Sequence, residues 1–306
     1  MRIVAALGGN ALLERGEAPD AEIQQHHILR AVEALAPLSR AHDLVITHGN
    51  GPQVGLLAIE SDSDRTLTRG YPLDVLGAQT QGMIGYWLAQ AMRNAVPTRD
   101  FAAVVCQTIV NGDDPAFANP AKFVGQVYEK ARAEQLARER GWSIGRDGAA
   151  WRRVVPSPRP RQLVELRVVE HLLNSGIGVI CAGGGGIPVV RDDEGRLSGI
   201  EAVIDKDRTA ALLAELVAAD ALLLLTDVPA VEVGWGTPSA HAIRSTSVEE
   251  LRRLELPAGS MGPKVEAACD FVQATGHMAA IGRLEEAGAL LAGAAGTVVR
   301  PLAQVG

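Results

Sequence analysis

The sequence predicts an α/β protein in which a mainly parallel sheet is covered by helices. Short apolar, β-branched runs alternate with helical patterns along the whole chain, which is typical of parallel strands joined by helices. Three glycine-rich turns each follow a predicted strand directly, and ligands of open α/β sheets bind at the carboxyl ends of the strands. The 306 residues are enough for one large domain or two modest ones.

The first half of the chain begins with a strand that ends in a glycine turn. This strand covers residues 2–7 and is followed by Gly8-Gly9-Asn10. A helix over 21–40 leads to a second strand over 44–47, which runs into the sequence HGNGP at 48–52. The later elements expected in this half are helices over 53–60 and 74–94 and a strand over 102–110.

Residues 113–160 interrupt the alternation. They combine loop residues, one charged helix, two tryptophans and the proline cluster PSPRP. This composition predicts an inserted subdomain that protrudes from the domain formed by residues 1–306. From the pattern alone, a mobile lid over a site and a surface excursion without function are equally favoured.

The second half resumes the alternation and carries the third glycine turn, GGGG at 183–186. A hairpin is expected around 191–196, where Asp-Asp-Glu-Gly supplies turn residues. The other expected elements are helices over 161–174, 207–219 and 284–291, a helix that begins near Met261, and strands over 178–182, 221–225, 278–281 and 297–300.

The composition excludes several classes of protein. Hydrophobic residues make up 47% and charged residues 21%, as in globular proteins. The longest apolar runs are far shorter than the ~20 residues that span a bilayer, and no charged leader precedes an apolar stretch. The net charge of −7 argues against nucleic acid or an anionic membrane as partner. The three separate cysteines suggest neither a disulfide framework nor a zinc site, and we expect a cytoplasmic protein.

Lysine is rare in this chain, and that makes each lysine a candidate for a special role. Only Lys122, Lys130, Lys206 and Lys264 occur among the 29 basic residues, and the rest are arginines. A compact ammonium group fits a crowded anion site where the broad guanidinium does not. Lys130 lies in a helical, charged stretch and is expected on a solvated face, whereas the other three lie in segments rich in Gly, Pro or Asp.

The glycine turns favour a phosphate site of a less common kind. Glycines let backbone amides approach an anion closely, and a following helix adds its positive end. One such turn could be merely a tight connection, but three favour phosphate binding. Neither G-x-x-x-x-G-K-[ST] nor a G-x-G-x-x-G that opens a helix is present at a suitable position, which excludes a P-loop enzyme and a dinucleotide-dependent dehydrogenase.

Two lysines stand at predicted helix starts. Lys206 is flanked by Asp205 and Asp207, which could hold it for a phosphoryl group, although one of them could equally be an ordinary N-cap beside an exposed lysine. Lys264 closes the sequence GSMGPK, where Ser260 is a candidate cap. A cation at a helix N-terminus is mildly unfavourable, and a bound phosphate would remove that conflict.

A series of strings in this chain resembles the carbamate kinase family of the amino-acid kinases. The resemblance covers essentially the whole chain in order, and THGNGPQVG and GSMGPKVEAA are its most specific parts. The strings are ALGGNALL (6–13), THGNGPQVG (47–55), PLDVLGAQTQGMIGY (72–86), DDPAFANPAK (113–122), RRVVPSPRP (152–160), AGGGGIPVV (182–190), GIEAVIDKDRTAALLA (199–214), LLLLTDVPAV (222–231) and GSMGPKVEAA (259–268).

The resemblance implies a three-layer αβα sandwich with the insertion as a lid, Mg²⁺-dependent transfer between ATP and carbamate, and a homodimer. It implies that Lys206 and Lys264 neutralise the phosphoryl oxygens, that Asp207 orients both, and that Lys122 reaches the anion from the insertion. It assigns the acceptor and phosphoryl group to Gly8, Gly9, Asn10, Gly49, Asn50 and Gly51. It assigns the nucleotide to Thr226, Asp227, Val228, Met261 and Gly262. Loose phosphoryl transfer needs positioning and charge neutralisation rather than a protein nucleophile.

The chain departs from the family pattern after Lys122. The family usually continues with Pro-Ile-Gly-Pro-Phe-Tyr, whereas this chain has Phe-Val-Gly-Gln-Val-Tyr at 123–128. Loss of two prolines predicts a looser or differently shaped lid and leaves open a kinase of the same fold that acts on another small acid or phosphate. A nucleotide-binding sensor without catalysis is a second alternative, but it would have little need of Lys206, Asp207 and Lys264 together.

Overall fold

The alternation expected from the sequence is present throughout the computed structural model, which describes residues 1–14, 16–237, 239–254 and 261–302, without the side chain of Asn10. The strands are β1 (Arg2–Leu7), β2 (Asp43–His48), β3 (Phe101–Ala103), β4 (Gln107–Ile109), β5 (Lys122–Tyr128), β6 (Ser143–Asp147), β7 (Ala150–Val155), β8 (Gln162–Leu163), β9 (Gly178–Ile180), β10 (Ile187–Arg191), β11 (Leu197–Gly199), β12 (Ala221–Thr226), β13 (Glu232–Val233), β14 (His241–Ala242), β15 (Ser245–Ser247), β16 (Met278–Arg283) and β17 (Thr297–Arg300).

The helices lie between these strands. They are α1 (Ala21–Ala41), α2 (Gly51–Ser63), α3 (Leu73–Ala95), α4 (Lys130–Arg140), α5 (Leu166–Asn174), α6 (Lys206–Leu216), α7 (Val248–Arg252), α8 (Met261–Thr275) and α9 (Ala287–Leu291), with 3₁₀ turns at Gly9–Ala11, Pro115–Phe117, Gly183–Gly185 and Leu284–Glu286. Among the described residues, none of the helices has the length and apolar character needed to cross a membrane.

The main sheet has eight strands in the order β15-β17-β16-β12-β1-β2-β9-β3. Neighbouring strands are parallel except for the β16–β17 pair, so the predicted mainly parallel sheet is confirmed. The central strands β12, β1 and β2 are adjacent, and their carboxyl ends therefore lie side by side at one edge.

Helices cover both faces of this sheet, and the side-chain alternation of β1 shows why. Val4 and Ala6 pack on one face with residues of α5, α6 and α8, while Ile3, Ala5 and Leu7 pack on the other with α1, α3 and α9. A strand buried on both faces reads as a continuous apolar run, as β1 and β12 do. The three-layer αβα sandwich predicted for the chain is thus present.

The segment 113–160 forms a small antiparallel sheet of its own, in the order β5-β7-β6, with α4 beside it. An apolar cluster joins it to the main body, in which Val124 and Val155 pack with Val54 of α2 and Leu73 and Leu76 of α3. That residues 113–160 are an inserted subdomain of a 1–306 domain stays a prediction.

Two predicted elements are divided differently in the structure. The strand expected over 102–110 is two strands, since β3 belongs to the main sheet and β4 to a second sheet of order β11-β10-β4-β8. The Gln81 side chain bonds both the backbone N–H and the carbonyl of Cys106 at this crossing. The helix expected over 161–174 begins only at Leu166, because β8 first pairs with β4. The predicted 191–196 hairpin is confirmed by β10 and β11.

The three cysteines are free and buried. Burial raises the pKa of the Cys269 thiol to about 11. A hydrogen bond with Cys106, together with burial, raises the pKa of the Cys181 thiol. Thiols that are buried and protonated are poor nucleophiles, so Cys181 and Cys269 are not suited to covalent catalysis.

Candidate active site

Two of the predicted phosphate turns meet at the carboxyl edge of the main sheet. The turn after β1 and the turn after β2 approach so closely that a Cβ atom built on Gly49 would lie 2.9 Å from the Cα of Gly9 and 3.4 Å from the Cδ of Lys206. Only a residue without a side chain fits this contact. The close approach of these loops therefore leaves Lys206 directly beside the two glycine turns.

The backbone amides of two predicted glycines are already engaged. Gly8 donates its N–H to the carbonyl of Leu225 at 2.9 Å, and Gly49 donates to that of Leu7 at 3.0 Å. Both N–H groups thus continue the hydrogen bonding of the sheet, and the role of Gly8 and Gly49 at the acceptor stays a prediction. Gly51 begins α2, and the backbone of Asn10 lies in the 3₁₀ turn Gly9–Ala11, while its side chain is outside the described residues.

The third glycine turn, at 183–186, packs against His48 and Asn50 in the turn that follows β2. It is buried, and a Cβ atom on Gly183 would overlap the ring of His48, while one on Gly184 would overlap the side chain of Asn50. Gly184 has a φ of 65°, which glycine adopts without strain. The turn is buried against His48 and Asn50, and its expected role in binding phosphate stays a prediction.

His48 and Asn50 are both held inside the protein. The Nδ1 of His48 lies 3.0 Å from the carbonyl oxygen of Gly49, and the Nδ2 of Asn50 donates to the Oγ1 of Thr80 at 2.8 Å. Burial, with a smaller contribution from the charge of Lys206, lowers the pKa of His48 to about 4. His48 is accordingly neutral at pH 7, and its contacts shape the loop.

Two lysines share one carboxylate at the heart of the site. The Nζ of Lys206 lies 2.5 Å from Oδ1 of Asp207, and the Nζ of Lys264 lies 3.0 Å from Oδ2. Lys264 and Asp207 are 5% and 4% exposed, and the packing of α6 on α8 brings them together. This arrangement agrees with the predicted role of Asp207 in orienting both lysines.

A second pair links the inserted subdomain to the same helix end. Lys122, the first residue of β5, donates to Oδ2 of Asp205 at 2.6 Å. The other oxygen of Asp205 accepts the backbone N–H groups of Asp207 and Arg208 and caps α6. The sequence suggested that Asp205 or Asp207 caps the helix and that both could hold Lys206. In the structure Asp205 caps α6 and binds Lys122, while Asp207 binds Lys206.

Burial and charge together set the protonation states of this cluster. Burial would raise the pKa of each carboxyl, but the ammonium of Lys122 holds the pKa of Asp205 well below its usual range, and Lys206 and Lys264 hold that of Asp207 below its usual range. Burial lowers the pKa of Lys206 to about 8, and Lys264 adds to this effect. For Lys264 the attraction of Asp207 outweighs burial and raises the pKa.

The charge of the cluster favours an anion. At pH 7 it contains three ammonium groups, on Lys122, Lys206 and Lys264, against the two carboxylates of Asp205 and Asp207. One positive charge is left uncompensated, and the N-terminus of α6 adds to it. A phosphoryl group would supply the missing negative charge.

An ionic network that the sequence analysis missed lies beside the cluster. Glu266 of α8 accepts from Arg208 of α6 at 2.7 Å and also pairs with Arg159 at the exit of the inserted subdomain. The Arg159 backbone in turn donates to Asp114 at 3.0 Å. Arg159 and Glu266 lie within strings that support the family resemblance, but their spacing in sequence gave no reason to pair them.

The predicted nucleotide residues lie at two places around the site. Thr226 ends β12, next to Gly8, and Asp227 and Val228 follow it. Met261 and Gly262 form the first turn of α8 together with Pro263 and Lys264, so they are on the helix that presents a cluster lysine. The predicted cap Ser260 lies outside the described residues.

The segment in which the chain departs from the pattern that it otherwise resembles is a paired strand. β5 pairs with β7 on both sides of a bulge between Val124 and Val127, where Gly125 has a φ of 73° and accepts a hydrogen bond from Arg152. Proline has no N–H to donate to a β-ladder. The presence of Phe123 and Gln126 where the family pattern has prolines is therefore compatible with the pairing of β5 and β7. A Cβ atom on Gly55 of α2 would lie 2.5 Å from the Cα of Gly125, which brings this strand against the main body.

Comparisons with known proteins all indicate the same family. Residues 1–282 match the model of the Amino acid kinase family. The carbamate kinase of Rhizobium meliloti (strain 1021) is 52% identical over 98% of this chain and 93% of its own length. The carbamate kinase of Haemophilus influenzae is 51% identical over 97% of this chain and 96% of its own length.

A solved structure agrees with these sequence relatives. The carbamate kinase of Giardia lamblia bound to AMP-PNP superposes with a TM-score of 0.90 at 38% identity, and the match covers 98% of both chains. The resemblance stated from the sequence motifs is thereby confirmed over nearly the whole chain.

Proposed function

The chain belongs to the amino acid kinase family and, within it, to the carbamate kinases, and on that premise we propose that it transfers a phosphoryl group reversibly between carbamoyl phosphate and ADP. ATP and carbamate are the products of the forward step. The observation that carries this proposal is the convergence of three of the four lysines on Asp205 and Asp207 beside two glycine turns.

The chemistry follows from the charges of the cluster. The phosphoryl group passes directly from one oxygen to the other, and charge spreads over its three remaining oxygens in the transition state. Lys206 and Lys264 neutralise that charge from fixed positions, because Asp207 already orients both ammonium groups before substrate arrives. Gly9, Asn10, Asn50 and Gly51 line the acceptor side, and Gly8 and Gly49 leave room for it.

We propose that ADP or ATP binds at Thr226, Asp227, Val228, Met261 and Gly262 and carries Mg²⁺ on its phosphates. Mg²⁺ would supply Lewis-acid stabilisation to the phosphate oxygens. The donor set supports its binding through the nucleotide, since Asp205 and Asp207 are both paired with lysines. Within the described ranges, no group of three or more His, Cys, Asp or Glu residues is placed to hold a metal.

The experiment that tests the proposal is ATP formation from ADP, Mg²⁺ and carbamoyl phosphate by the wild type and by Lys206→Ala. We expect ATP synthesis by the wild type that collapses in the variant. If a folded wild type binds ATP yet forms none, the carbamate assignment is wrong. Transfer to another small acid or phosphate would then identify the alternative acceptor kinase, and absence of any transfer would identify a nucleotide sensor.

Lys122 should act on the substrate anion rather than on the nucleotide. In Lys122→Ala we expect the KM for carbamoyl phosphate to rise about tenfold or more, since a hydrogen bond to a charged group is lost, while the KM for ADP stays within about twofold. Lys130→Ala is the matched control, because Lys130 is on the same subdomain with its side chain 66% exposed. Unchanged kinetics in Lys122→Ala would contradict its assigned role.

The rate should depend on pH through Lys206. Its pKa is lowered to about 8, so the charged form that neutralises the phosphoryl oxygens is present below that pH and lost above it. We expect kcat/KM to fall as pH rises through about 8, and the residual activity of Lys206→Arg to lack this decline because arginine stays charged. A flat wild-type profile up to pH 9.5 would count against the role.

We further propose a homodimer. Support comes from α3 and the loop before it, where apolar side chains are exposed at Tyr71 (49%), Val75 (37%) and Tyr86 (57%), since exposed apolar patches mark interaction surfaces. Light scattering should give twice the chain mass of 32.2 kDa. A molar mass equal to one chain at micromolar concentration would refute the dimer.

We propose a cytoplasmic enzyme that works in the ATP-forming direction at the end of arginine breakdown or a related catabolic sequence. Three free, buried cysteines suit a reducing compartment. The direction depends on metabolite concentrations, so the ratio of carbamoyl phosphate to ATP in the cell is the quantity to measure.

A further inference from the structure

Asp205 holds two different parts of the chain with its two oxygens. Oδ1 accepts the backbone N–H of Asp207 at 2.9 Å and that of Arg208 at 3.2 Å, while Oδ2 accepts from the Nζ of Lys122 at 2.6 Å. Asp205 itself is only 6% exposed. A carboxylate fixed at a helix start thus meets the ammonium of a residue 83 positions earlier in the chain.

We propose that Asp205 is a positioning residue that holds the Lys122 ammonium over the phosphoryl site in register with Lys206 and Lys264. This inference rests on the proposed function and adds to it the residue through which the inserted subdomain acts. Asp205 contacts no reacting atom in this account, and the effect proposed for it acts through its hydrogen bond to Lys122.

The contacts that seat the inserted subdomain do not by themselves fix this ammonium group. Val124 and Val155 pack in an apolar cluster with α2 and α3, and Arg140 pairs with Asp62 at the periphery. These contacts fix the backbone of β5. The Lys122 side chain is 35% exposed, and a lysine on a flexible four-carbon stem is free to choose other rotamers. Oδ2 of Asp205 selects the rotamer that points into the site.

The N-cap of α6 fixes the position of the Asp205 carboxylate that binds Lys122. Because Oδ1 is tied to the first turn of α6, the position of Oδ2 is set by the same turn that presents Lys206 and Asp207. All three lysines of the cluster are therefore oriented by carboxylates of one helix end, with Asp205 serving Lys122 and Asp207 serving the other two. An arriving phosphoryl anion can accept one of the remaining Lys122 N–H groups without breaking the pair, since an ammonium has three donors.

The test separates the cap from the ion pair. Asparagine is as good an N-cap as aspartate, so Asp205→Asn keeps the helix start and removes the charge that holds Lys122. We expect the KM for carbamoyl phosphate to rise about tenfold, with the KM for ADP within about twofold. In a Lys122→Ala background the same substitution should change kcat/KM by less than about twofold, because the residue through which it acts is absent.

A second readout does not depend on turnover. Trace acetylation followed by mass spectrometry measures the reactivity of Lys122, with the exposed Lys130 as an internal reference in the same chain. Asp205→Asn removes the counter-charge that favours the unreactive ammonium form of Lys122, so Lys122 should become several-fold more reactive relative to Lys130. If the asparagine variant does not fold, Asp205→Ser offers another good N-cap without charge.

The outcomes distinguish this inference from the proposed function. Wild-type ATP synthesis with equal losses from Asp205→Asn in both backgrounds would show a merely structural role and overturn the inference alone. If the wild type forms no ATP, the proposed function fails, and acetylation then decides: an unchanged Lys122 to Lys130 ratio overturns the inference, and a raised ratio supports it.

Discussion

Lys264→Ala should lower kcat for ATP formation by about 10³-fold, the loss found when a fixed charge or donor for the transition state is removed. Lys264 is 5% exposed and bound to Asp207 at 3.0 Å, so water cannot readily replace it at the phosphoryl oxygens. The measurement is steady-state ATP synthesis at saturating ADP and carbamoyl phosphate.

The variant should still fold, because Asp207 keeps the ammonium of Lys206 as its partner. A circular dichroism melt and titration with ATP provide the controls, and Lys130→Ala supplies a lysine variant with unchanged turnover. A folded Lys264→Ala enzyme that retains more than about a tenth of wild-type kcat would show that Lys264 does not neutralise the transferring group.

Asp207→Ala should reduce both stability and activity. Removing this carboxylate leaves two largely buried ammonium groups, Lys206 and Lys264, without their shared counter-charge. Breaking a buried ionic group by removing one partner typically costs about 3–5 kcal/mol, and in a chain of this size each kcal/mol lowers Tm by roughly 2 °C. Thermal unfolding should therefore show a large decrease in Tm, and ATP synthesis should fall at least as far as in Lys264→Ala.

A double variant separates the two effects of Asp207. Asp207→Asn with Lys264→Met removes one positive and one negative charge together, so much of the lost stability should return while activity stays low. Asp193→Asn, at an exposed position, controls for charge removal as such. A Tm for Asp207→Ala within about 2 °C of wild type would contradict the account of Asp207 as the counter-charge of both lysines.

The rarity of lysine was the most informative feature of the sequence for the site. The three lysines singled out by their Gly-, Pro- or Asp-rich surroundings all lie in one cluster. Lys130 is instead exposed on α4, where its Nζ lies 3.8 Å from Oε1 of Glu134. The physical reason is general, because a chain that meets its surface charge with arginine retains lysine where a compact ammonium is needed.

The role of each glycine turn depends on contacts that residue type alone does not specify. All three follow strands as expected, but residue type cannot distinguish a glycine that frees an amide for an anion from one that allows close packing. Gly49 and Gly184 are needed for close packing, against Gly9 and Asn50 respectively. That distinction depends on which loops face each other.

Sequence by itself determined the layered α/β architecture and the order of most elements, because burial on both faces of a parallel sheet requires continuous apolar strands such as β1 and β12. These features depend on local periodicity and composition, which are contained in neighbouring residues.

Only the tertiary structure decided where the strand expected over 102–110 divides, that Asp205 pairs with Lys122, and that Glu266 joins Arg159 to Arg208. Each of these depends on contacts between residues far apart in the chain, and a carboxylate near many possible cations has no preferred partner until packing brings one within hydrogen-bond distance. Where the chain passes from β3 to β4, the backbone of Cys106 likewise bonds the side chain of Gln81 in α3, which is distant in sequence. Long-range geometry, rather than residue type, selects these partners.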